Sequence, residues 1–231
     1  MQNWQCLGDY SWDPPDAPTA TLEILPIDMA TTVRGPLSVA FGVRIASCND
    51  LPTSEPAGDQ GCGSGTDVDE YGIARLTVSN QRSTFAIEGG MGEAERHYTR
   101  PAPRSGRIHL MFLPNYAGKA FVLQSIPGFD ASQGIVLFYQ RDCLATLGKD
   151  IRADLTPKAE NTVAFVWGEH WGFPELNVGG GFPTGGFVNV PASQKVEVST
   201  THTETNKPIS SATVVVAGGW TTAVALYPRP Q

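Results

Sequence analysis

Leu37-Ser38-Val39-Ala40-Phe41-Gly42-Val43-Arg44-Ile45 alternates apolar with small or polar residues without a break. Successive side chains of an extended chain point to opposite faces, so Leu37, Val39, Phe41, Val43 and Ile45 share one face. That pattern is a half-buried β-strand. Outward from it the signature recurs. Upstream lies Thr21-Leu22-Glu23-Ile24-Leu25. Downstream, Ile73–Val78 and Thr84–Ile87 flank a short polar turn and read as a hairpin. Further apolar runs follow at Ile108–Leu113, Ala120–Leu123, Ile135–Tyr139, Thr162–Trp167, Phe187–Val190, Lys195–Val198, Thr213–Val216 and Thr222–Leu226. Gly, Pro or Asn punctuate most of them.

One segment reads differently. From Cys143 to Leu155 apolar residues fall at 143, 144, 147, 151 and 155, and Pro157 lies just beyond. The spacing of four predicts a short helix over 143–155. Many short strands and one helix define the expected fold as mainly β, an antiparallel barrel or sandwich. No fixed-period repeat is evident in the sequence.

Composition excludes several classes. Of 231 residues, 41% are hydrophobic and 17% charged, with 25 Gly and 18 Pro. Disordered chains are more charged, coiled coils poorer in Pro, and collagen needs Gly at every third position. No apolar stretch reaches the roughly 18 residues that a membrane-spanning helix requires. The net charge of −7 argues against nucleic acid, whose binders carry a basic footprint that displaces counterions. The N-terminus Met-Gln-Asn-Trp-Gln-Cys lacks the basic and apolar regions of a signal peptide. The expectation is a cytosolic product or a piece of a polyprotein.

Cys6, Cys48, Cys62 and Cys143 have irregular spacing and form no Cys-x-x-Cys, so a structural zinc site is not expected. Buried free thiols are one reading and a Cys48–Cys62 bridge across the Gly-rich segment between them is the other, and the spacing does not decide between the two. Residues 49–70 are acidic and Gly-rich, the best candidate for a boundary or long loop. This gives residues 1–50 and 51–231 as candidate domains, with one domain overall as the alternative.

Catalytic signatures are sparse. No Gly-x-Ser-x-Gly and no phosphate-binding loop is present. Glu169-His170-Trp171 joins a carboxylate, an imidazole and a stacking ring, but reads as a turn tip after a strand. Asp67-Val68-Asp69-Glu70 offers oxygens, yet lacks the spacing of a calcium loop and reads as a solvated acidic turn. Neither enzyme activity, metal nor cofactor is expected. The polar stretch 88–105 holds Arg96, His97, Tyr98 and Arg100. Arg and Tyr are enriched in binding hot spots, which makes these four a candidate contact loop. Gly179–Gly186 reads as a flexible turn.

Over residues 127–228 the order of features resembles the protruding domain of calicivirus capsid proteins. The order is Gly128–Tyr139, Cys143-Leu144, a short helix, Asn161–Val166, Thr184-Gly185-Gly186-Phe187-Val188-Asn189-Val190, and Gly219-Trp220 before a run ending in Tyr227-Pro228. Pro36–Ile45 followed by Asn49-Asp50-Leu51-Pro52-Thr53 resembles the last strand and exit of a picorna-like jelly-roll shell. Residues 1–50 would then be the end of a shell domain, or first strands of the protruding domain. The resemblance implies a dimeric spike on the virion surface, made in the host cytoplasm. It would contact other capsid subunits and attach to a host-cell receptor or glycan. It also implies that the turn carrying Gly186 and Phe187 helps hold the glycan. Two alternatives stand beside it: a carbohydrate-binding module or β-sandwich glycosidase, and a jelly-roll shell subunit.

Overall fold

The computed structural model describes residues 4, 19–28, 40, 42–48, 62–79, 83–88, 94–99, 106–112, 123–143, 147–167, 174–176, 184–192 and 194–228. Among the described residues fifteen strands follow in chain order. They are β1 (Thr19–Asp28), β2 (Arg44–Cys48), β3 (Thr66–Asp67), β4 (Ala74–Ser79), β5 (Ser83–Glu88), β6 (Ala94–Thr99), β7 (Gly106–Phe112), β8 (Gly134–Gln140), β9 (Ile151–Thr156), β10 (Val163–Val166), β11 (Glu175–Leu176), β12 (Thr184–Val190), β13 (Gln194–His202), β14 (Pro208–Val216) and β15 (Thr221–Leu226). The described residues are mainly β and sandwich-like, with no closed barrel among them.

Three sheets form, ordered β4-β1-β7, β11-β10-β12-β8-β15-β6-β5-β2-β3 and β14-β13-β9. Most pairings are antiparallel, but β1 with β7, β8 with β15 and β6 with β15 run parallel. Beneath this list lies a topological repeat. In the first half, β1 pairs β4 antiparallel and β7 parallel, while β2, β5 and β6 form an antiparallel ribbon. In the second half, β8 pairs β12 antiparallel and β15 parallel, while β9, β13 and β14 form the ribbon. The halves differ at the third strand: β3 pairs β2, whereas β10 pairs β12. Two sandwiches of one design therefore stand in tandem.

Each sandwich buries its own core. Leu22, Ile24, Leu76, Ile45, Phe85 and Ile87 fill the first; Val136, Phe138, Leu155, Phe187, Val198 and Val214 are among those filling the second. A third cluster lies on the far face of β8, β12 and β15. It joins Ile135, Leu137, Phe165 and Trp167 to Ile27 from the first sandwich. This explains why β8, β12 and β15 are buried along their whole length and read as continuous apolar runs. The β6–β15 ladder adds backbone bonds across the same boundary. Strands from both sides of residue 50 share sheets, and Trp4 packs on the second core, edge-on to His202 at 5.9 Å.

Several sequence expectations need correction. No helix occurs among the described elements. Of the segment 143–155, residues 144–146 lie outside the described residues, and Ile151–Thr156 is β9 with every second residue buried. A spacing of four is a multiple of two, so Leu147, Ile151 and Leu155 fit a strand face as well as a helix stripe. The hairpin read at 73–87 is also absent. Both strands exist, but β4 joins the β1 sheet and β5 the β2 sheet. A short polar turn looks the same whether the chain folds back or crosses between layers. Of the opening stretch, residues 37–39 and 41 lie outside the described residues, and the strand begins at Arg44.

One irregularity shapes the second sandwich. The register of β12 against β8 shifts between Phe187 and Val190, and Asn189 takes a φ of 57°. Asn tolerates that left-handed conformation better than most residues. Its buried side chain accepts from the Asp130 N–H at 2.8 Å and donates to the Gly128 carbonyl at 2.8 Å and the Asn161 carbonyl at 3.2 Å. One bulge thus fastens two loops to the sheet.

Candidate contact site

Between β3 and β4 the chain reads Asp67-Val68-Asp69-Glu70-Tyr71-Gly72-Ile73. Asp69 organises it. One carboxylate oxygen accepts from the Tyr71 and Ile73 N–H groups, each at 2.9 Å. The other accepts from Arg75 at 2.8 Å, and Arg75 reaches Glu23 at 3.2 Å. The Asp69 N–H donates to the Ile73 carbonyl, and the Gly72 N–H to the Asp69 carbonyl. Gly72 closes the turn at a φ of 75°, open to glycine at little cost. The Ile73 N–H, first, and Arg75 hold the Asp69 carboxyl below the ordinary aspartate range.

The tip of this braced turn is Glu70 and Tyr71, both exposed. Tyr71 is 71% exposed, the most accessible large apolar side chain among the described residues. An aromatic ring on a tied backbone is pre-ordered for contact and loses little conformational freedom on binding. The carboxylates of Asp67 and Glu70 precede the ring in sequence and are exposed. Together they offer a flat apolar face and hydroxyl-accepting oxygens. Both Asp69 carboxylate oxygens are engaged within the protein.

Of the residues singled out in the sequence, those that are described lie in two other strands. Arg96, His97 and Tyr98 belong to β6, a strand bonded to β5 and β15 on its two sides, so that part of 88–105 is not a loop. Arg100 lies outside the described residues. Gly186 and Phe187 sit inside β12, not in a turn; residues 179–183 lie outside the described residues. Phe187 is 2% exposed and its ring lies 6.1 Å from that of Phe138, in the second core. A Cβ on Gly186 would stand 2.6 Å from the Phe165 ring and against the Val136 carbonyl. This glycine is there so that Phe165 can lie on the sheet. β8 and β15 separate β12 from β6. Glu169-His170-Trp171 lies outside the described residues. Tyr71 is an exposed candidate that the sequence reading did not single out; its signal was an aromatic between Glu70 and Gly72 in an acidic turn.

Cys48 and Cys62 are bonded to each other, and Cys143 is bonded as well; among the described residues no cysteine is free. The bridge anchors the start of the segment leading to β3 and the Tyr71 turn.

No protein-family profile and no curated protein matches the sequence. Among solved structures, the TIE protein of Bacillus anthracis is similar at 9% identity and a TM-score of 0.30, over 91% of this chain and 34% of that one. This chain spans about a third of that protein's length. A family 26 carbohydrate-binding module of Eubacterium rectale, solved with maltoheptaose, gives 12% identity and a TM-score of 0.28, over 91% and 97% of the two chains. The shaft pilin SpaA of Lactobacillus rhamnosus GG gives 8% and 0.25, over 91% and 97%. Likenesses this weak carry no argument about activity.

Proposed function

We propose that this chain is a non-catalytic attachment module that holds a neutral glycan on the Tyr71 turn. The observation that carries the reading is Tyr71 itself, 71% exposed at the tip of a turn whose backbone Asp69 pins. A sugar ring stacks on the phenol face while its hydroxyls donate to Glu70 and Asp67. The acidic turn and the net charge of −7 disfavour sialylated or sulfated sugars by like-charge repulsion. Single-site affinity is weak for so small a contact. Many copies on one bearer raise it through effective concentration.

Disulfides persist in oxidising settings, so the module works outside the reducing cytosol. Attachment is also what the protruding-domain resemblance implies. The virion setting, with capsid neighbours and a host receptor, rests on the order of features over 127–228. Within that order the Gly186–Phe187 turn is strand here, and so is the end of the expected helix, from Ile151. The test is a glycan array probed with bead-multimerised chain. Neutral glycans retained by wild type and lost by Tyr71→Ala support the reading. Retention of the same glycans by Tyr71→Ala overturns it.

A further inference from the structure

We propose that Thr200 and Gln140 react with each other, forming an ester that joins the two sheets of the second sandwich. Gln140 ends β8 in the nine-stranded sheet, and Thr200 lies on β13 in the β14-β13-β9 sheet. The Thr200 hydroxyl oxygen stands 2.6 Å from the Gln140 side-chain oxygen. The carboxamide carbon is one C=O bond, about 1.2 Å, from that oxygen. The hydroxyl is therefore within about 3.8 Å of the electrophilic carbon, near the separation from which bond formation starts. Both side chains are fully buried, so bulk water does not compete for that carbon.

The neighbours fit an acyl transfer. The Gln140 nitrogen donates to the Arg141 carbonyl at 2.7 Å and the Leu226 carbonyl at 3.1 Å, which turns the amide oxygen toward Thr200. The Ser210 hydroxyl donates to that oxygen at 3.1 Å, where negative charge develops as the hydroxyl adds. The Thr200 oxygen also lies 3.3 Å from the Ser210 carbonyl. With its hydrogen turned to that carbonyl, its lone pairs face the amide carbon. A plain amide needs acid–base help to expel its nitrogen. Two proton carriers are buried at the same end of the core. Asp142 lies two residues past Gln140, and His202 is the next inward residue of β13 after Thr200. Trp4 covers this end: its ring stands edge-on to His202 at 5.9 Å and fills the space where Gly148 would carry a Cβ.

The step balances within the chain. A bond forms between Thr200 Oγ1 and Gln140 Cδ. The Cδ–Nε2 bond breaks and its electron pair stays on nitrogen. The hydroxyl proton ends on that nitrogen, and ammonia leaves. No oxidant, reductant or further reactant takes part. The link spans 60 residues of sequence and keeps the two sheets from parting when an attachment module is pulled. Stability costs reckoned from the hydrogen bonds of this pair refer to the unlinked chain. Thr200→Val and Gln140→Ala are both unlinked, so the difference in stability between them reads the hydrogen bonds alone.

Mass spectrometry of the intact chain with its disulfides reduced tests this. Wild type is expected to be lighter than its sequence mass by one ammonia. A tryptic digest is expected to hold the Gln140 and Thr200 peptides as one joined species. Hydroxylamine, which cleaves esters and spares ordinary amides, is expected to separate them. Thr200→Val and Gln140→Ala are expected to restore the full mass, which sets this bond apart from ammonia loss elsewhere in the chain. Thr200→Ser, which keeps a hydroxyl, is expected to retain the link. The wild-type mass decides the matter even if a variant fails to fold. Wild type at its full mass, or joined peptides that resist hydroxylamine or persist in Thr200→Val, overturns the proposal.

Discussion

The Thr200 hydroxyl donates to the side-chain oxygen of Gln140 at 2.6 Å, from one sheet of the second sandwich to the other. Ser210 donates to the same oxygen at 3.1 Å. The Gln140 amide nitrogen donates to the carbonyls of Arg141 at 2.7 Å and Leu226 at 3.1 Å. Gln140 is fully buried, so each bond satisfies a group that water cannot reach. Cutting Gln140 to Ala strips a partner from Thr200 and Ser210 and leaves a void. The expected loss is about 2–4 kcal/mol. Thr200→Val, which keeps the shape, is expected to cost about 1 kcal/mol. Urea unfolding of the two variants gives the comparison, and equal midpoints would count against the network.

The Cys48–Cys62 bridge closes a span of 14 residues. By loop-closure entropy such a bridge stabilises by about 3 kcal/mol. The Cys48→Ser, Cys62→Ser double variant is expected to melt lower by a matching amount. Thermal denaturation followed by circular dichroism checks this.

Asp69 ties the contact turn to pH. Its folded-state pKa lies below the ordinary value because the Ile73 N–H, then Arg75, bond to the charged form. A depressed carboxylate adds stability that is present above the unfolded pKa and lost as pH falls through the folded one. The turn is therefore expected to hold at neutral pH and to loosen below about pH 4, the unperturbed aspartate range. Amide exchange at Tyr71 and Ile73 reads this directly, and Asp69→Asn is expected to remove the pH dependence.

Gly186 distinguishes a packing role from a ligand-contact role. Gly186→Ala pushes a methyl against the Phe165 ring and the Val136 carbonyl. Overpacking of this kind is expected to cost about 1–3 kcal/mol. Glycan binding per folded molecule is expected to stay unchanged, which equilibrium unfolding and an array run side by side would show.

How much of this was legible in the sequence follows from what period and punctuation encode. β14 and β15 announced themselves because β-branched runs bounded by Gly and Pro have few other readings. Partnership was not encoded locally. β4 and β5 flank a hairpin-like turn yet belong to different layers. β9 satisfied a helical spacing because four is twice two. The tandem repeat was hidden because sandwich topology constrains which strands pair, not which residues recur. Gly186 drew notice through the protruding-domain resemblance, and in the structure it makes room for the Phe165 ring. Tyr71 escaped because one exposed ring in an acidic turn has no periodicity.

The central claim is that Tyr71 is the contact residue. Surface plasmon resonance of wild type, Tyr71→Phe and Tyr71→Ala against the glycan best retained on the array tests it most directly. The account predicts that Tyr71→Phe binds within about threefold of wild type and that Tyr71→Ala loses about tenfold or more, the equivalent of about 1.4 kcal/mol. Equal affinity for wild type and Tyr71→Ala would contradict it.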